Sequence, residues 1–230
     1  MITNFRIRMA AAVVAIIYIL VQTFQWWVFA KVPETGNVIT DFLNGGNKLN
    51  IYRSWLMLLS MFGLLYLFFT ICFDDFRQDK GWRILAFSGF FIFCLLELFI
   101  RSIELFFVQG YLVDTYATAN SADREPIIKT VTSLQQVWWA LYFPLGLSQL
   151  LGSIILAGLY LKSMGIDRLI KVVFIINSCR LFLRMLDSYL DINILGISTL
   201  LNNELYLPLV IIMFGLKAVW LVKSPLKEPS

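Results

Sequence analysis

The chain has 230 residues, 59% of them hydrophobic and only 15% charged, with a mean hydropathy of +0.76 and a formal charge of +4. Globular domains are nearer half apolar and a quarter charged, so the composition excludes an ordinary soluble protein and points to an integral membrane protein with nothing left over for a soluble domain. Histidine is absent, which removes the commonest metal ligand, haem ligand and general base, and no basic tract interleaved with aromatics points to nucleic acid.

Six runs are long enough to cross a bilayer, which takes about 20 residues per helix: residues 9–30, 55–73, 84–108, 137–161, 172–190 and 205–222. The fold class they predict is an all-α polytopic helical bundle, a single transmembrane domain over 1–230. Span one follows Arg6 and Arg8, and Val28-Phe29-Ala30 loosely resembles a signal cleavage site. Its apolar run is longer than the roughly 7–15 residues of a signal peptide, and Trp26 and Trp27 look like an interface belt, so it reads as an uncleaved helix. The connection 31–54 carries a turn signal, Asn44-Gly45-Gly46-Asn47. After span two, Asp74-Asp75 begins a DDxxxD grouping that could hold Mg²⁺; the mixed charges of Arg77 and Lys80 beside it favour a solvated turn.

Span three reads Cys94-Leu95-Leu96-Glu97-Leu98-Phe99-Ile100-Arg101-Ser102-Ile103-Glu104. Glu97, Arg101 and Glu104 are spaced i, i+4, i+7 and share one helix face, with Glu97 placed to pair with Arg101. The connection 111–136 holds Asp123-Arg124-Glu125-Pro126, a turn into a short helix. Span four carries Pro144, expected to kink it, and the small-residue pairs Ser148/Gly152 and Ser153/Ala157, which permit close packing.

Span five carries Arg180, Arg184, Asp187 and Asp191 at i, i+4, i+7, i+11, with Asn177 close to the same face. The segment 191–204 either extends this span or lies at the interface. Span six has Pro208 near its start, expected to kink it, and Lys217 near its inner end, expected to snorkel. Cys72, Cys94 and Cys179 lie inside apolar runs without a CxxC, so they read as small buried apolar residues.

Basic residues cluster before span one, between spans two and three, between four and five, and after six, which predicts cytoplasmic termini. Spans three and five then both run outward. At 1.5 Å per residue, Glu97 and Arg184 come out level, about 20 Å in, and Arg101 lies close to Asp187. A lone charge at mid-membrane costs about 2.5–3.5 kcal/mol. Opposite signs at matching depth therefore predict that spans three and five face each other or a common polar cavity. Glu104 and Asp191 fall near the outer interface, where water screens them.

Three functions fit this pattern. The first is a polar pocket binding or passing a small solute or ion, with Arg180 and Arg184 on the anion side and Glu97 and Asp187 as counter-charges. The second is an accessory or scaffold subunit that binds another membrane protein, the charges acting as a register clamp. The third, a lipid-modifying enzyme, is disfavoured because no HExxH, GxSxG, GxGxxG or P-loop is present. No cofactor and no metal is expected; the partner the composition implies is the lipid bilayer.

The layout also resembles a bacterial family of six-helix membrane proteins defined only as a domain of unknown function. The likeness rests on the Arg-led span one, Trp82-Arg83-Ile84-Leu85-Ala86-Phe87 opening span three, Tyr206-Leu207-Pro208 before span six and Val219-Trp220-Leu221-Val222-Lys223 at its end. It implies a bacterial inner-membrane protein and lends no activity.

Overall fold

A computed structural model describes residues 4–74, 79–193 and 196–224. Arg77, Lys227, the Asp75 half of the acidic pair, and Ile194 with Leu195 in the 191–204 segment lie outside the described residues. Among the described residues the secondary structure is all helical. The elements are α1 (Phe5–Lys31), α2 (Val38–Gly45), α3 (Lys48–Phe73), α4 (Lys80–Ser102), a π-helical stretch Ile103–Leu112, α5 (Val113–Thr118), α6 (Ser121–Leu159), α7 (Asp167–Leu190), α8 (Ile197–Thr199), a π turn Leu200–Glu204 and α9 (Tyr206–Lys223).

Local chemistry sets several of these ends. Asn4, Asn37 and Asn47 each stand at a helix N-cap, where the side chain accepts from the backbone N–H of Ile7, of Ile39 and Thr40, and of Leu49. Asp191 ends α7 in the left-handed region at φ 56°, a conformation short polar side chains tolerate better than most. The segment after it therefore turns back instead of extending α7.

Five helices are long and apolar enough to cross a membrane: α1, α3, the continuous rod Lys80–Thr118, α6 and α9. α7, at 24 residues, has the length but carries Arg180, Arg184 and Asp187 within its apolar run.

Two boundaries differ from the sequence reading. α4, its π-helical continuation and α5 form one rod of 39 residues, and α6 is another of 39. Each is about 58 Å long against a hydrocarbon core of roughly 30 Å, so the pair runs well past the ends set at 108 and 137. The connection 111–136 is helical except at Ala119 and Asn120, and Asp123–Pro126 belongs to α6, which continues through Pro126 and Pro144. α2 tucks against this pair, where Phe42, Val108, Leu112 and Val131 form a second, smaller core. Pro208 falls in the first turn of α9, where its missing N–H costs nothing, so it starts the helix and does not bend it.

The six long helices pack as a ring in chain order: α1 on α3, α3 on α4, α4 on α6, α6 on α7, α7 on α9, and α9 back on α1. The α4–α6 contact is very close. A Cβ on Gly89 would stand 2.6 Å from the Ser148 carbonyl oxygen, and one on Gly152 would stand 2.9 Å from that of Ala86. Glycine at both positions lets the backbones touch. Cys72 and Cys94 are buried in the core, whereas Cys179 is exposed on α7 and not buried as expected.

Candidate functional site: a central cavity lined by buried basic residues

A cavity of about 730 Å³ lies within the ring, with walls from all six long helices. That is the size of a site for a small organic molecule. One end is closed by aromatic packing: Phe68 stacks on Phe90 at 4.1 Å, Phe90 meets Phe174 at 5.9 Å, and Tyr18 meets Phe214 at 4.4 Å. Beyond it lies a plug in which Trp220 is bonded to Asp167 (Nε1–H to Oδ1, 2.7 Å) and Arg8 donates to the Trp220 carbonyl. The other end reaches the exposed Pro33 and Glu34, with Trp26 and Trp139 at its rim.

The charges of α4 satisfy one another. Arg101 donates from Nε and Nη2 to Glu97 Oε1 at 3.0 and 2.9 Å, and from Nη1 to Glu104 Oε2 at 2.7 Å. Glu104 also accepts from Arg53 Nη2 on α3 at 2.6 Å, from Ser54 Oγ at 3.4 Å and from Gln109 Nε2 at 3.3 Å. Two carboxylates and two guanidiniums thus form a balanced group. Of the two arrangements the sequence leaves open, direct pairing of Glu97 with Arg184 and of Arg101 with Asp187 is not seen: among the described residues neither pair approaches within 4 Å. The reason is local: Arg101 finds its acids at i−4 and i+3 on its own rod, and α6 packs between α4 and α7. Glu104 is likewise held by Arg53 and not screened by water at the interface; its side chain is only 15% exposed.

The α7 stripe is organised differently. Asn177, 7% exposed, donates to Ser153 Oγ on α6 at 2.8 Å. Arg180, also 7% exposed, donates to Asn177 Oδ1 at 3.3 Å and to Asn202 Oδ1 at 3.2 Å, and lies over the Tyr206 ring. Both acceptors are neutral. Two of the five guanidinium N–H groups are used, and no carboxylate pairs with Arg180 among the described residues. Arg184 is exposed and Asp187 half-buried; both line the cavity nearer its open end. Asp191 caps α7 and does not line the cavity.

Lys217 is the largest departure from expectation. It does not snorkel: it is 3% exposed and its Nζ sits 3.9 Å from the centre of the Phe214 ring, with Phe68 at 5.2 Å and Phe174 at 5.5 Å. Among the described residues it has no hydrogen-bond or ion-pair partner. The three rings stabilise the ammonium by cation–π attraction but supply no counter-charge.

The structure therefore gathers Glu97, Arg101, Asn177, Arg180, Arg184 and Asp187 around one cavity, and sets Glu104 and Asp191 apart. Glu104 lines a neighbouring pocket of about 200 Å³ with Arg53, Gln109 and Trp138. Sequence reasoning missed Arg53, Ser54 and Gln109 because they flank the apolar runs, and Asn202 because its segment had no assigned place. Lys217 is visible in the sequence as a cation inside a span, but its depth is not.

No protein-family model, no curated protein and no solved structure matches the chain. The functional reading rests on the geometry.

Proposed function

We propose that the chain is a six-span membrane protein, with α7 as the sixth span and both termini cytoplasmic, whose central cavity binds a small anionic solute from the outer side. The observation that carries this reading is the pair Arg180 and Lys217: two basic side chains, each more than nine-tenths buried, line one cavity, and among the described residues neither has a carboxylate partner. A charge inside a bilayer costs several kcal/mol unless it is neutralised. The α4 group is neutral within itself, so it supplies nothing to these two. An anion in the cavity supplies what the side chains do not. The basic flanks support the orientation, and the layout resemblance supports a bacterial inner-membrane location.

The balanced Glu97–Arg101–Glu104–Arg53 group serves a different purpose. It ties α4 to α3 at fixed register, a clamp of the kind buried charges can form. Clamp and ligand site are thus separate sets of residues.

Melting of the purified full chain in mild detergent, with increasing inorganic phosphate at constant ionic strength, tests the proposal. A bound ligand at 100 times its Kd stabilises by about 2.7 kcal/mol. Phosphate is expected to raise Tm in the wild type and to lose that effect in Arg180→Gln. An equal shift in both proteins contradicts a site at Arg180.

A further inference from the structure

The smaller pocket beside Glu104 has a polarity of its own. We infer that this pocket, of about 200 Å³, is a second solute site, and that it binds a small neutral amide through the carbonyl oxygen and the N–H.

Three buried polar atoms without a hydrogen-bond partner among the described residues belong to side chains that line it: Arg53 Nε on α3, Gln109 Oε1 on the π-helical stretch and Trp138 Nε1 on α6. A buried polar group left unpaired is destabilising, and native structures nearly always supply a partner.

The neighbours of these side chains fix which atoms stay available. Gln109, 5% exposed, donates from Nε2 to Ser54 Oγ at 3.0 Å and to Glu104 Oε1 at 3.3 Å. A carboxylate only accepts, so the Gln109 amide nitrogen faces Glu104 and its oxygen is left as an acceptor. Arg53 uses Nη2 on the same Glu104 oxygen at 2.6 Å and lies over the Phe29 ring, which leaves Nε–H as a donor. The Trp138 indole can only donate. Two donors and one acceptor, from three different elements, thus belong to one pocket.

Charge narrows the class. Glu104 lines the pocket and Glu34 stands at its exposed rim, so an anion is repelled; Arg53 repels a cation, and Glu104 already balances its charge. A neutral carbonyl oxygen has a lone pair for each N–H donor, and an amide N–H serves Gln109 Oε1. An ester lacks that N–H. An alcohol carries donor and acceptor on one oxygen, whereas groups spread over three elements favour two polar atoms. The exposed Pro33 and Glu34 border both this pocket and the central cavity, so both are reached from the same side.

The test uses the full chain in lipid nanodiscs with ¹⁵N-labelled tryptophan. The Trp138 indole signal is the one of seven that Trp138→Phe removes. Propionamide is expected to shift it saturably. Methyl acetate, 1-propanol and propionate are expected to bind at least about tenfold more weakly, the cost of one lost hydrogen bond or of a misplaced charge. Arg53→Lys keeps a cation for Glu104 but has no Nε–H, and should raise the propionamide Kd about tenfold with the other indole signals in place. If that variant moves the other indoles, the wild-type ligand series decides alone. Propionate, methyl acetate or 1-propanol binding as tightly as propionamide overturns the amide class. An unchanged Kd in a folded Arg53→Lys, or no saturable shift at Trp138 because water alone serves these groups, overturns the site. Neither failure touches the anion reading of the central cavity, which rests on other residues.

Discussion

In the sequence Arg53 is one more basic residue in an outer connection. In the folded chain its guanidinium closes the Glu104 carboxylate at 2.6 Å and lies over the Phe29 ring. Removing one partner of such a pair strands the other, at a cost of about 3–5 kcal/mol. Arg53→Met is therefore expected to lower unfolding free energy by that order, and Arg53→Met with Glu104→Gln to recover most of it. A double-mutant cycle by denaturant unfolding in detergent reads the coupling; additive effects would show that the two side chains do not share the interaction. The i, i+4, i+7 spacing makes Glu97, Arg101 and Glu104 legible as one face. It cannot reveal Arg53, because a pair across 51 residues leaves no periodic trace.

A second residue-scale device lies outside the spans. Asp41 on α2 accepts from the Thr35 N–H at 2.7 Å, the Thr35 hydroxyl at 2.8 Å and the Gly36 N–H at 3.1 Å. The Thr35 backbone bond above all holds its carboxyl below the usual carboxylate range. A depressed folded value means that the contribution is present above the unfolded value of about 3.9 and is lost as pH falls through the lower folded one. Thr35 and Gly36 amide exchange, corrected for intrinsic pH dependence, should lose protection in that acid window. Asp41→Asn should remove the transition; a transition that persists in the variant would assign it to another group.

At the scale of elements, the helices are legible from apolar periodicity and the bundle class from length. The full reach of the two rods is not, because the residues between 111 and 136 are too polar to read as membrane, and a helix in water needs no apolar run. α7 stands out only because its charges share one face. The π-helical stretch Ile103–Leu112 leaves no mark that periodicity can register. Two glycines make opposite predictions about packing. Gly89 has the Ser148 carbonyl 2.6 Å from where a Cβ would stand, whereas Gly215 in α9 has nothing within 4 Å. Gly89→Ala is expected to destabilise by about 1–3 kcal/mol through overpacking. Gly215→Ala is expected to stabilise by up to about 1 kcal/mol through helix propensity. Thermal melting of the two variants side by side checks both signs; a neutral Gly89→Ala would mean that α4 and α6 separate freely at this point.

At the scale of the molecule, the sequence brings the two charged stripes to a common level and leaves two arrangements open, direct pairing or a shared cavity. The stripes share a cavity because α6 packs between their helices and each helix of the ring touches its neighbours in chain order. Lys217 shifts the balance of that cavity, since it adds a second buried basic group at the closed end with no acidic partner among the described residues. If this imbalance marks an anion site, a heavy anion should settle there. Crystals of the full chain soaked with bromide or selenate show where it goes, through the anomalous signal of the anion. The expected peak lies inside the ring between Arg180 and Lys217 and is absent in Lys217→Met. Peaks confined to the open mouth near Arg184, or to the outer surface, would contradict an anion site at the buried cations.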